Sequence, residues 1–458
     1  MASQNQESEG GETVMRCRWV RVLPNRLWDN IVEIGKKGKE IGKEDPRRII
    51  HSLKAGLALT LVTLLYSNDP LYEGFGVNAM WAVLTVVVVF EFSVGATLGK
   101  GFNRMVATSI AGFLGFGAHR LAALSGRGGE PIFIAFLVFI ISAIATFARF
   151  FPALKARYDY GLTIFILTFC LVSVSGYRDE ELLGTTHTRV STIAIGSFTA
   201  IFVCIGICPV WIGEDLHNLV VGNIEKLGNF LEGFGNEYFK VSEEKQSNND
   251  KPFLKNYKSV LSSKSSEESM ANLARWEPCH GRFRFFHPWK QYLKIGSLAR
   301  ECAYKIEALN NYLNPHIQTP MEIQNKFVEP CTKLSVECGK ALKEIASATK
   351  KMRRSNSAAI HIANAKAAAE NVKFLLQINL SEGALLVYII PTATVATLLL
   401  EVLQCIEKIY EAINELAAKA HFKNVDPTVS PEQPHLLHRG TVKPMPNNLG
   451  IISHVVTI

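Results

Sequence analysis

Basic residues lie at the ends of long apolar runs in the first half of this sequence, and their positions suggest a binding chemistry. Lys54 follows the start of one run, Arg120 and Arg149 close two others, and Arg178 and Arg189 flank the entry to another. A charge at membrane depth must pair with another group, reach the headgroups or face water. Rings of Lys and Arg are typical of anion pores, whereas single cations at helix ends are also typical of topology anchors.

Acidic residues are placed differently. The acids closest to the apolar runs are Glu73, Glu91, Glu130 and Asp159, and all four lie near the ends of the runs. Cation channels and proton-coupled carriers usually place carboxylates at mid-depth. The charge pattern therefore indicates the handling of anions, and two copies of the chain related by symmetry would double each cation.

Catalytic and metal-binding signatures are missing from the sequence. It has no GxSxG, HExxH or GxxxxGK[ST] motif, and none of its nine cysteines forms a CxxC pair. We therefore expect neither an enzyme nor a metal or other cofactor. The net charge of +8 fits positive cytosolic loops and contacts with anionic membrane lipid, and we expect no nucleic-acid partner.

Apolar segments crowd the region between residues 49 and 211, and charged residues crowd the rest of the chain. A helix needs about 17–25 mostly apolar residues to cross a bilayer. Lys and Arg are concentrated in the leader and in the loops near residues 100 and 155, which predicts that both termini are cytosolic. Six spans are predicted, at about 49–67, 77–94, 104–122, 131–150, 160–175 and 190–211.

The chain after residue 211 has apolar residues at helical spacing, which predicts long amphipathic helices. The segment 383–403 is either a seventh span kinked at Pro391 or a helix buried in the second half, and we favour the buried helix. The predicted fold class is all-α, a six-helix transmembrane bundle followed by a cytosolic helical domain, assembled as a dimer. The predicted domains are a basic cytosolic N-terminal segment at 1–48, the transmembrane domain at 49–211, the cytosolic helical domain at 212–424 and a flexible tail at 425–458.

Five motifs within residues 42–278 occur in an order that is specific to one family. They are WAVLTVVVVFEFSVGATLGKGFNR (Trp81–Arg104), GKEDPRRIIHSLKAG (Gly42–Gly56), KARYDYG (Lys155–Gly161), PVWIGEDLH (Pro209–His217) and RWEP (Arg275–Pro278). In these motifs the sequence resembles the plant aluminium-activated malate transporters, a family of anion channels.

The resemblance implies a homodimer in the plasma membrane, or alternatively the vacuolar membrane, that conducts malate and often chloride, nitrate or sulfate. It implies a pore lined by basic residues and a gating or interface role for the motif formed by Trp276, Glu277 and Pro278. Matching motifs carry pore or vestibule roles onto Lys54, Lys100, Arg104, Lys155 and Arg157. The charge pattern adds Arg120, Arg149, Arg178 and Arg189 as candidate pore residues.

The predicted function is passive conduction of malate and inorganic anions, gated by the cytosolic domain, voltage or a ligand. One alternative is a coupled dicarboxylate carrier, which should show broken helices with repeat symmetry. The other alternative is a membrane-anchored scaffold, which would tolerate neutralisation of Lys54, Arg120 and Arg149 together.

Overall fold

The computed structural model shows a helical protein, and it describes residues 30, 32–67, 80–175, 182–238, 255–312, 321–381 and 386–424. Within these ranges the chain has no β-strand, and two isolated residue pairs form single β-bridges. The predicted all-α class is confirmed for this part of the chain. The tail at 425–458 and the loop that carries Arg178 lie outside the described residues.

Thirteen helices are labelled here in chain order, and a further helical stretch at 32–44 precedes them. In the first half they are α1 (Pro46–Tyr66), α2 (Met80–Val89), α3 (Val94–Ala123), α4 (Gly126–Ala148), α5 (Pro152–Ser175) and α6 (Leu182–Gly206). In the second half they are α7 (Ile212–Tyr238), α8 (Lys258–Leu261), α9 (Lys264–Ala274), α10 (Trp289–Asn311), α11 (Met321–Lys350), α12 (Ser357–Ser381) and α13 (Leu386–Lys419).

The first half is built around α3. This helix packs along α5, α6 and α4, while α2 packs on α6 and α1 contacts both α2 and α6. Helices α3 and α5 run parallel in a constant register. The amide of Asn103 donates to the carbonyl of Arg157 (3.1 Å), and sixteen residues further along both helices His119 Nε2 lies 2.9 Å from the carbonyl oxygen of Ser173.

Several helices are apolar enough to cross a membrane. By length and composition, four in the described part qualify, namely Pro46–Tyr66, Gly129–Ala148, Arg189–Gly206 and Ile390–Lys419. The helix α2 is shorter, with ten residues, and α3 and α5 carry charged side chains along their first turns. The predicted number of six spans therefore stays a prediction.

The predicted second and third spans need correction. Helix α2 ends at Val89, and α3 begins at Val94, about ten residues before the predicted start of the third span. Between them the Ser93 hydroxyl accepts the Ala96 amide, and the amide of Val94 donates to the carbonyl of Val210 (3.0 Å). An N-cap and these alternative partners for the backbone stop one helix and start the next.

This correction changes the setting of two predicted site residues. Lys100 and Arg104 were expected in a loop after the second span, but both lie within α3. A rise of 1.5 Å per residue puts Arg104 about 15 Å along the axis from Val94.

The second half has its own hydrophobic core. Helix α7 packs along α11, and α10 packs along α13. The largest fully buried side chains here include Phe230, Phe234, Tyr257 and Tyr292. Burial of each such aromatic ring contributes about 1.5–3 kcal/mol relative to its exposure, so this core is sufficient to hold the helices together.

Helix α13 contains the ambiguous segment 383–403. Its residues Val395, Leu399 and Val402 are fully buried in the core of the second half. The same helix also passes the length and composition criterion for a span. Burial of one face among α10, α11 and α12 favours the predicted buried helix.

Candidate functional site

Arg104 is the most deeply placed of the predicted cations that the structure describes on α3. Its side chain belongs to a residue that is only 5% exposed, and Nη1 donates to the hydroxyl of Tyr160 on α5 (3.2 Å). It forms no ion pair with an acid in the described part of the chain. An unpaired guanidinium at this depth is costly unless it faces water or an anion.

Lys100 lies one turn before Arg104. Its ammonium group pairs with Glu91, from the segment that joins α2 to α3, and lies 5.5 Å from the centre of the Tyr160 ring. Tyr160 therefore contacts Lys100 with its ring face and Arg104 with its hydroxyl, and it orders both cations. The carboxylate of Glu91 balances the charge of Lys100, so Arg104 carries the less compensated charge.

A small cavity between α2, α3, α5 and α6 brings Arg104 together with Arg189. Its volume is about 20 Å³, enough for roughly one water molecule, and Trp81 and Thr108 also line it. The guanidinium of Arg189 lies 5.4 Å from the centre of the Trp81 ring, a cation–π distance. Two arginines from different helices thus face one buried space.

Two polar atoms in this cavity are available to a ligand. Arg104 Nε and Thr108 Oγ1 are buried, and neither has a hydrogen-bond partner among the described residues. Buried polar groups are normally paired, because an unpaired one costs about 1–3 kcal/mol. A guanidinium N–H and a hydroxyl one turn apart are suited to an oxyanion such as a carboxylate.

Lys54 lies elsewhere. It is 2% exposed, and its ammonium group donates to the carbonyls of Cys208 (3.2 Å) and Cys204 (3.5 Å). These carbonyls are at the C-terminal end of α6, where the helix dipole attracts a cation. The geometry shows Lys54 as a link between α1 and α6, and its pore role stays a prediction.

The remaining predicted cations are peripheral in this chain. Arg149 binds the carboxylate of Asp159 with two hydrogen bonds, of 2.7 and 3.2 Å. Arg120 lies 5.1 Å from the ring centre of Phe116. Lys155 and Arg157 are exposed on the first turns of α5, and Arg178 lies outside the described residues. The structure thus gathers Lys100, Arg104 and Arg189 and leaves the others apart.

The predicted gating residue Glu277 joins the two halves. Its carboxylate accepts the backbone amides of Ile212 (2.6 Å) and Gly213 (3.0 Å), which form the N-terminus of α7 directly after the last helix of the first half. Burial raises the pKa of Glu277 to about 7, although these N–H donors oppose the shift. The carboxyl therefore titrates near neutral pH.

Trp276 docks the same segment on α3. Its indole lies against Gly99, and its ring centre is 5.6 Å from that of Phe102. One turn earlier, Gly95 leaves room for the carbonyl of Leu273, where a Cβ atom would overlap it. Pro278 contributes its carbonyl, which lies 2.9 Å from His280 Nδ1. The motif thus fixes the second half to the first turns of α3.

Sequence reasoning missed Tyr160, Trp81 and Thr108 as partners of the cations. A usable signal was present, since Lys100, Arg104 and Thr108 recur at intervals of four and share one face of a helix. That face was hidden because a loop was expected at residues 95–104.

An all-helical chain with several apolar helices and two arginines in a cavity between them defines a multi-pass membrane protein of the transporter class. The model of one family, "Aluminium activated malate transporter", matches residues 39–387. The chain is 48% identical to aluminum-activated malate transporter 2 of Arabidopsis thaliana over 94% of this chain and 86% of that protein.

Two further relatives give the same result. The identity is 49% to aluminum-activated malate transporter 7 of Arabidopsis thaliana, over 86% of this chain and 84% of that protein. It is 45% to aluminum-activated malate transporter 1 of Triticum aestivum, over 88% and 89%. The chain belongs to the aluminium-activated malate transporter family, as its motifs predicted.

Proposed function

We propose that this protein is an anion channel that conducts malate and inorganic anions passively across a plant membrane. The observation that carries this proposal is the cavity between α2, α3, α5 and α6, where Arg104 and Arg189 converge and no acid pairs with Arg104 within the described ranges. A permeating anion replaces its lost hydration with these donors, and the same charges exclude cations. The relatives are named malate transporters, which supports malate as a substrate.

The pathway follows α3 from the junction of the two halves. Lys100 is the first cation along this helix, Arg104 is the next, and Arg189 follows from the opposing α6. Exposed Lys155 and Arg157, at the start of the neighbouring α5, form a vestibule that attracts anions. Chloride, nitrate and sulfate share the negative charge that these groups recognise.

The domain arrangement in this proposal has six spans within residues 49–211, with residues 1–48 and 212–424 in the cytosol. Arg47, at the start of α1, pairs with Asp215, in the first turn of α7 (3.1 Å). The first turn of α1, the first turn of α3 and the start of α7 therefore lie at one level, which we assign to the cytosolic headgroups. Helix α13 stays in the cytosolic domain, and both termini are cytosolic.

The functional unit is a homodimer. Helix α4 is barely covered by the rest of the chain, and Phe139, Phe147 and Phe150 are exposed along it. A second copy and membrane lipid cover this apolar surface. The Trp-Glu-Pro segment, which joins Glu277 to α7 and Trp276 to α3, transmits cytosolic signals to the pathway. We assign the protein to the plasma membrane, with the vacuolar membrane as the alternative.

A coupled dicarboxylate carrier is the second candidate, and one observation favours it. The chain is non-helical at residues 90–93, between α2 and α3. Interrupted helices of this kind form the binding sites of many carriers. A carrier would move malate only together with a coupled ion, whereas a channel carries current with malate alone.

The test is the whole-cell current of oocytes that express the protein, with malate, sulfate, nitrate and chloride exchanged on each side. We expect a current whose reversal potential follows the anion gradient. A protein that reaches the surface and carries no such current, in the presence of malate and over the full range of voltages, would contradict the proposal.

A further inference from the structure

The turn at residues 281–286 exposes two adjacent aromatic rings to solvent. Phe286 is 98% exposed and Phe285 is 64% exposed, and their ring centres lie 6.1 Å apart. Phe286 also has a positive φ of 59°, which is unfavourable for a bulky side chain. Exposure and backbone strain in the same residue require a compensating partner.

The surroundings of the turn place it beside the membrane. At its start, His280 stacks on Trp211, the residue between the last helix of the first half and α7, with ring centres 3.9 Å apart. Six residues of chain reach at most about 20 Å, so Phe286 lies within that distance of the junction. At its end, Phe283 and Trp289 pack together, with ring centres 5.4 Å apart, and fix both ends of the turn to the protein.

The charges of the turn select the kind of membrane surface. Arg284 and Lys290 are exposed, and Arg282 extends to the carbonyl of Lys350 (3.3 Å). Aromatic rings favour the interfacial region of a bilayer, and each basic residue near anionic lipid contributes about 1 kcal/mol of binding. Exposed rings flanked by arginines therefore match a bilayer with anionic headgroups.

We propose that residues 281–286 form a membrane anchor, in which Phe285 and Phe286 enter the cytosolic leaflet and Arg284 binds the phosphate groups of anionic phospholipids. This anchor holds the Trp-Glu-Pro segment, only a few residues earlier in the chain, at a fixed height relative to α3. The lipid composition of the leaflet thereby acts on the junction between the two halves.

The test uses Phe286→Trp in the full-length protein, reconstituted into nanodiscs that contain anionic lipids with brominated acyl chains. The control is Phe374→Trp on α12, a phenylalanine that is 63% exposed and lies about 25 Å along that helix from its start. We expect the fluorescence added by Phe286→Trp to be quenched at least about twofold more than that added by Phe374→Trp.

Further arms separate the outcomes. Arg284→Gln, added to Phe286→Trp, should reduce the difference in quenching between anionic and neutral lipid, because it removes a phosphate contact. Equal quenching of Phe286→Trp and Phe374→Trp by brominated lipid would overturn the proposal. Shielding of Phe286→Trp from aqueous iodide without quenching by brominated lipid would also overturn it, because a protein partner would then cover the turn.

Discussion

Arg104 illustrates how the surroundings of one side chain define its role. A lysine or arginine near the end of an apolar run is often only a headgroup anchor. Here the side chain is buried, donates to Tyr160 and shares a cavity with Arg189. A charge held in this way has a large desolvation cost, which a passing anion reduces.

Neutralising Arg104 should therefore impair conduction more than neutralising a peripheral arginine. We expect Arg104→Gln to lower anion conductance roughly ten- to a hundredfold, the effect of losing one charge-assisted hydrogen bond of about 1.5–3 kcal/mol. Arg120→Gln is the matched control, because Arg120 is an exposed arginine at the far end of the same helix. Equal effects of the two substitutions on whole-cell current, at equal surface expression, would argue against the cavity as the pathway.

Glu277 should make stability depend on pH near neutrality. Burial raises its pKa from the ordinary value of 4.5 to about 7, so between these values the folded protein keeps a proton that the unfolded chain releases. The contribution of Glu277 to stability is therefore present at low pH and lost as pH rises through about 7. Glu277→Gln does not titrate and lacks this loss.

The measurement is the melting temperature of the purified protein from pH 5 to pH 8. The difference between the wild type and Glu277→Gln should become less favourable to the wild type as pH rises. The exposed Glu268, changed to Gln, serves as the control, and its curve should run parallel to that of the wild type. Parallel curves for Glu277→Gln as well would show that this carboxyl does not titrate in the range.

At this scale the sequence predicts residue types better than residue partners. Lys100, Arg104 and Arg189 were candidates because basic residues near apolar runs are rare and costly. Their convergence depends on Tyr160 and Trp81, aromatic residues whose composition alone suggests only packing. The contact between Lys54 and the end of α6 joins residues about 150 positions apart, and no local pattern encodes it.

Among the helices, α3 connects the candidate pathway to the second half of the protein. Its first turns receive Trp276 and the backbone of Leu273, and its later turns hold Arg104 and Thr108. Because a helix is stiff over this length, a shift of the docked segment is transmitted along α3. The glycines at the contact permit this close approach.

A methyl group at Gly95 should disturb this docking. The Cβ atom of Gly95→Ala would overlap the carbonyl oxygen of Leu273, so the segment must shift, and we expect a loss of stability of about 1–3 kcal/mol. Gly117→Ala on the same helix is the control, because nothing lies within 4 Å of its Cβ position. That change should be neutral or stabilise the protein by about 0.5–1 kcal/mol.

Thermal melting of the two purified variants checks this prediction. Gly95→Ala should melt at a lower temperature than the wild type, and Gly117→Ala at the same or a higher one. Similar melting temperatures for both variants would mean that the contact between α3 and the Trp-Glu-Pro segment is loose.

Helix type was predictable from apolar length, but helix boundaries were not. The apolar run that contains α2 continues across residues 90–93, and its hydrophobicity gives no sign of a break. The break depends on the Ser93 cap and on the bond between Val94 and Val210, which lie 116 positions apart in the chain. Local pattern reports side-chain polarity, whereas this boundary is set by a tertiary contact.

For the whole molecule, the proposed topology makes a separate prediction. If α13 stays in the cytosolic domain, both ends of the chain face the cytosol. A glycosylation acceptor inserted after residue 424 should remain unmodified in microsomes, whereas one inserted in the loop at 68–79 should be glycosylated. Glycosylation at the C-terminal position would identify α13 as a seventh span and would place the tail outside.

The most direct test of the central claim is the current carried by the purified protein in planar lipid bilayers under a tenfold malate gradient. Purification removes other channels, and the absence of a coupling ion separates a channel from a carrier. We predict a current that reverses at about 30 mV, the Nernst value for a dianion, and that falls in Arg104→Gln. Absence of current with malate alone, or a reversal potential set by another ion, would contradict the account.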